Sequence, residues 1–111
     1  MASLSYGDPI DPLGHVRGFK NLSSLLEENG ILYLSVPIGR ERVEFNAHRV
    51  FDPVTPTVWA RQNSLELVEF AFVGDDGNLV MGATVEAVSK ARLNYGCGIY
   101  VFRKPVRESM I

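Results

Sequence analysis

The chain has 111 residues, of which 46% are apolar, 22% charged and 10% aromatic, the proportions of one ordinary globular domain rather than of a disordered or fibrous chain. Eleven Lys and Arg against thirteen Asp and Glu leave a net charge of -2, so no summed field draws nucleic acid or an anionic membrane to it. The single Cys97 excludes an internal disulfide and a multi-cysteine zinc site, no apolar run approaches the ~18 residues that span a bilayer, and Met1 to Gly7 lacks the basic segment and apolar core of a signal peptide, so a cytoplasmic location is expected.

Gly7 to Pro12 is dense in turn formers, and Asp11 followed by Pro12 is an N-cap and first-turn pair that starts a helix. Leu13, Val16, Phe19, Leu22, Leu25 and Leu26 recur at helical spacing and give the apolar stripe, with His15, Arg17, Lys20 and Glu27 mostly off it. Gly30 is the expected stop. Ile31 to Val36 then reads as a strand covered on both faces and ended by Pro37. From Ile38 to Pro53 the chain is polar and irregular, with a short alternation at Val43 and Phe45, and is expected to be a loop. Thr55 and Pro56 cap a short helix through about Gln62, anchored by Val58 and Trp59. Leu65 to Val73 is rich in β-formers and reads as a second strand, and Asp76-Gly77 turns it toward Leu79 to Met81. Thr84 caps a helix through roughly Arg92, and Gly98 to Arg103 is the last strand. Residues 1 to 111 thus make one domain, with residues 104 to 111 expected as a frayed tail.

Asp8-Pro9-Ile10-Asp11-Pro12, an amphipathic helix, and Asn29 to Pro37 together resemble the fourth-helix to fifth-strand segment of class I S-adenosylmethionine-dependent methyltransferases. More narrowly, Leu34-Ser35-Val36-Pro37-Ile38-Gly39 leading to Arg42 through Phe51, and later Cys97-Gly98-Ile99-Tyr100-Val101-Phe102, resemble the family catalogued as domain of unknown function 268, which is methyltransferase-like in fold and has no established reaction. The resemblance implies an α/β fold built on part of a Rossmann-like sheet. Ile31 to Val36 would be the fifth strand, Leu65 to Val73 the sixth and Gly98 to Arg103 the seventh, running antiparallel. It also implies a cofactor site at an earlier glycine-rich βα turn. This sequence holds no such turn, because Gly96 and Gly98 precede a strand instead of following one. The expectation is therefore the C-terminal half of a methyltransferase-like domain, with no cofactor in this chain and S-adenosylmethionine the cofactor of a full-length homologue.

Ligands of open α/β sheets bind beyond the carboxyl ends of the strands, which singles out the segment from Pro37 to Pro53. His48 is a general base candidate there, Arg49 an orienting group and Asn46 a hydrogen-bonding partner for a hydroxyl. Arg40, Arg42 and Arg49 are placed to clamp a carboxylate or phosphate. The plainer account is that His48 and Asn46 satisfy loop backbone while the arginines pair with Glu41, Glu44 and Asp52. Asp8, Asp11 and His15 make a second cluster, with Asp11 and His15 as substrate-binding candidates, although an N-cap role already accounts for Asp11. Cys97 reads as a packed thiol, and Trp59, Phe70, Phe72, Tyr100 and Phe102 as core.

Two functions remain open. One is the acceptor-side half of an enzyme that methylates a small polar acceptor, inactive alone. The other is a structural or interaction module completed by self-association or by a partner chain that finishes the sheet, because a cut sheet leaves an edge and an apolar face bare. Use of the three loop arginines to bind a phosphate ester is a weaker third, since no glycine-rich cradle accompanies them.

Overall fold

The computed structural model describes residues 2–3, 14–43 and 49–106. Its elements in chain order are β1 (Ala2–Ser3), α1 (Gly14–Leu25), β2 (Ile31–Ile38), β3 (Arg42–Val43), β4 (Arg49–Val50), α2 (Thr55–Gln62), β5 (Glu66–Val73), β6 (Leu79–Met81), α3 (Val85–Ala91) and β7 (Gly96–Arg103). Five strands form one sheet in the order β1-β2-β7-β5-β6. β1 is parallel to β2, whereas β7 runs antiparallel to both β2 and β5. This is the α/β class read from the sequence, with the last strand reversed as expected.

The register fixes which side chains share a face. Leu32, Leu34, Val36 and Ile38 of β2 stand beside Phe102, Tyr100, Gly98 and Gly96 of β7, and Phe70 and Phe72 of β5 continue the same rows. Phe19 from α1, Trp59 and Ala60 from α2, and Val85 and Val88 from α3 close onto this face in a single buried cluster. Ring contacts of Phe19 with Trp59 and with Phe102 join two helices to the sheet.

On the opposite face lie Tyr33, Ser35, Ile99, Val101 and Met81. Coverage of β2 on both faces is therefore corrected: burial alternates along it, and Tyr33 is 42% exposed. Tyr33 and Ser35 break an apolar run with two side chains that tolerate water, which restores the period-two pattern of a half-covered strand. Pro37 does not end the strand. It lacks an N–H to donate, yet its carbonyl accepts from Phe51 at 3.0 Å and β2 continues to Ile38.

Several further boundaries shift for local reasons. α1 ends at Leu25, which is 77% exposed and so leaves the stripe, while His15, expected mostly off it, is buried. The left-handed residue behind the helix is Asn29, at φ 65°, with Gly30 donating to Glu27. The loop expected from Ile38 to Pro53 contains the β3–β4 ladder, pairing Arg42 with Val50 and Val43 with Arg49. Thr55 is the first residue of α2 and not its cap; Val54 precedes it, its N–H held by Asp52 at 2.9 Å. Thr84 does cap α3, accepting from the Ala87 N–H at 3.1 Å. In β5 the register slips between Leu67 and Glu69. That bulge lets Leu67 and Phe70, three apart, serve one face. The first residue of the supposed frayed tail is held: Lys104 donates its N–H to Gly30, accepts from Asn29, and reaches the Leu26 carbonyl with its ammonium. Residues 107–111 lie outside the described residues.

Candidate functional site

β2 and β5 point the same way, so their carboxyl ends and the start of β7 meet at one edge of the sheet. There Gly39 leaves β2 so close to the end of α3 that a Cβ on it would lie 2.7 Å from the Asn94 carbonyl and 2.9 Å from that of Leu93. Only a glycine permits this approach. Arg42 locks it: Nη1 donates to the Arg40 carbonyl at 3.0 Å and Nη2 to the Asn94 carbonyl at 2.7 Å. Asp75 holds the following turn, accepting from the Asn94 and Tyr95 N–H groups, and these bonds keep its carboxyl below the usual range.

Beside this junction opens a cleft of about 490 Å³ lined by Gly39, Arg40 and Glu41 from the β2 exit, by Asp52 ahead of α2, and by Ser89, Lys90 and Arg92 from the end of α3. The Ser89 hydroxyl donates to the Asp52 carboxylate, and the Thr55 hydroxyl to Glu41 at 3.1 Å. A second cleft of about 590 Å³, open between α2, β5 and α3, is bordered by Thr57, Arg61, Leu67, Phe70 and Glu86.

The three loop arginines are thus separated. Arg40 faces the smaller cleft, Arg42 is committed to two carbonyls, and Arg49 lies with its guanidinium carbon 5.4 Å from the Phe51 ring centroid. His15 meets the same aromatic group, edge-on to Phe51 with centroids 5.0 Å apart and stacked at 6.5 Å on Trp59. Burial, with the Arg49 charge adding to it, pushes the His15 imidazole below its usual range. The structure so brings His15 and Arg49 to one cluster around Phe51, and neither lines either cleft. His48, Asn46, Asp8 and Asp11 lie outside the described residues. Cys97 is half-buried, its Sγ 3.1 Å from the Ser35 hydroxyl on the open face.

Lys90 and Arg92 were missed in the sequence, since basic residues in the last turn of a helix are ordinary partners of its terminal carbonyls. Only the packing of α3 against the β2 exit sets them opposite Arg40, across about fifty residues of chain. Among the described residues no group of three or more His, Cys, Asp and Glu could hold a metal ion, and no helix is long and apolar enough to cross a membrane.

S-adenosylmethionine would need backbone N–H groups at a glycine-rich strand-to-helix turn. The described junctions do not fit it. Pro56, in the first turn of α2, has no N–H, and the Val54 N–H is taken by Asp52. α3 opens with the Ala87 N–H taken by Thr84.

Three comparisons bear on this geometry. Residues 2–68 match the model of a family described as "Caenorhabditis protein of unknown function, DUF268". No curated protein matches the chain. Among solved structures, that of the [4+2]-cyclase SpnF superposes with a TM-score of 0.64 at 15% sequence identity, over 96% of this chain and 50% of that one. The likeness is one of fold, and that fold is methyltransferase-like. The chain spans half the length of this neighbour.

Proposed function

The chain belongs to the DUF268 family, and from that premise we propose that it forms the carboxyl-terminal half of a methyltransferase-like domain, supplying the acceptor side and no S-adenosylmethionine cradle, and is inactive alone. One observation carries this. Among the described residues the helices cover a single face of β2, β7 and β5, while Tyr33, Ser35 and Met81 stand exposed on the other, as in a sheet that lacks one helical layer. The fit of the chain to half of a methyltransferase-fold neighbour supports the same reading. So does the lack of a glycine-rich strand-to-helix junction among the described residues. In a complete domain the β2 exit would meet the acceptor, with Arg40 on its rim as the orienting cation and His48 as the base, while Arg49 packs on Phe51. Calorimetry with S-adenosylmethionine tests the division: the 111-residue chain gives no binding heat, and saturable binding would overturn it.

The bare face also favours a second reading, a module completed by self-association or by another chain. β6 lies at the sheet edge with Leu79 and Met81 more than half exposed, at 58% and 59%, a surface that other chains readily pair with. Light scattering decides between a concentration-dependent oligomer, which Met81→Lys would weaken, and a monomer that binds no apolar dye, which would remove this reading.

A further inference from the structure

We propose that the cleft between the β2 exit and the end of α3 is a binding site for the oxyanion group of a small molecule, a phosphate monoester or a carboxylate, held by Arg40, Lys90 and Arg92. These three cations line one cavity of about 490 Å³, within the size range of small-molecule sites. Two carboxylates share the cleft, but each is already bonded to neutral donors, Asp52 to Ser89 and the Val54 N–H, and Glu41 to Thr55. Among the described residues Arg40, Lys90 and Arg92 make no ion pair with either carboxylate. Their charge is thus available to a ligand, and it is local, because the chain as a whole carries -2.

The rims are also fixed in place before any ligand arrives. Arg42 bonds the carbonyls of Arg40 and Asn94, tying the two sides together, and the Gly39 backbone lies directly on residues 93 and 94. Ser89, the neighbour of Lys90, is tied to Asp52, which also lines the cleft. Arg92 takes a left-handed conformation, φ 54° and ψ 57°, at the end of α3, a position where glycine or asparagine is the usual occupant. A long cation kept there is suited to the planar, two-pronged recognition of an oxyanion, with Arg40 opposite it. The site involves neither a cofactor nor the missing helical layer, so it stands or falls apart from the half-domain reading.

Amide chemical-shift titration of the whole chain tests it, with inorganic phosphate in one arm and succinate in the other, at ionic strength matched with sodium chloride. Saturable shifts at residues 39–41 and 89–92 are expected, and the tighter arm identifies the oxyanion class. Lys90→Gln and Arg92→Gln, both at exposed side chains, weaken binding at least about tenfold, as loss of a charged hydrogen bond does. Lys90→Arg retains it, and Arg61→Gln, on the other cleft, leaves it unchanged. Shifts that are absent, that follow surface cations such as Arg17 and Arg61 equally, or that survive both neutral substitutions would overturn the proposal.

Discussion

Ser89 donates its hydroxyl to both oxygens of Asp52, each at 2.9 Å, across 37 positions of sequence. The same carboxylate takes the Val54 N–H at 2.9 Å, so one side chain joins the start of α2 to the last turn of α3. Because the carboxylate is partly screened from water, removing a donor leaves it undersolvated. Ser89→Ala should lower stability by about 1–2 kcal/mol, seen as a lower urea midpoint with an unchanged slope. Ser89→Thr keeps the hydroxyl and should restore most of the loss.

His15 makes stability depend on pH in a definite direction. Its folded-state imidazole sits below the ordinary value of 6.5 because of burial and the Arg49 charge. The unfolded chain therefore binds more protons between the depressed value and 6.5, so stability rises with pH through that window and is lost on acidification through it. Urea midpoints measured from pH 7.5 down to 5 should fall more steeply for the wild type than for His15→Gln, once carboxylate effects common to both are subtracted. A parallel decline in the two would show that His15 carries no such linkage.

Much of this fold was legible from the sequence, and the parts that were not share a cause. The hairpin at Asp76-Gly77 and the Thr84 cap rest on neighbouring residues, the reversed last strand on the family resemblance, and each forms. β2 was misread because apolar Ile31 and the aromatic Tyr33 on its open face resemble core in one dimension. The ladder between Arg42 and Val50 hid in a polar segment because two-residue strands have no period to detect. At the site, Arg40 was visible from its place after a strand, whereas Lys90 and Arg92 depended on where α3 lands. His15 looked like a surface residue beside Asp11, yet Phe51 and Trp59, more than thirty positions away, draw it inside.

Gly98 is required by its neighbour Tyr100. A Cβ at position 98 would come within 2.8 Å of both the Ile38 Cγ2 and the Tyr100 Cε1 atoms. Tyr100 cannot swing aside without losing the bond from its hydroxyl to the Pro53 carbonyl at 2.6 Å. Burial pushes that phenol well above its usual range, so it stays a donor at any neutral pH. Gly98→Ala should cost about 1–3 kcal/mol through overpacking, measured by urea unfolding. Fluorescence of Trp59 should report the same transition. Full stability in the alanine variant would show that the Tyr100 packing does not require glycine at position 98.

Arg92 separates binding from stability. A residue with a Cβ gives up roughly 1 kcal/mol in the left-handed conformation it adopts, φ 54° and ψ 57°, and glycine relieves that strain at a helix end. Since its exposed side chain makes no ion pair among the described residues, little packing is lost with it. Arg92→Gly should therefore raise stability by about 0.5–1 kcal/mol and a few degrees in Tm, while weakening phosphate or succinate binding in the same titration. The opposite signs are diagnostic, because a residue kept for folding alone would lose stability when replaced, and a strained residue with no ligand would gain stability at no cost to binding.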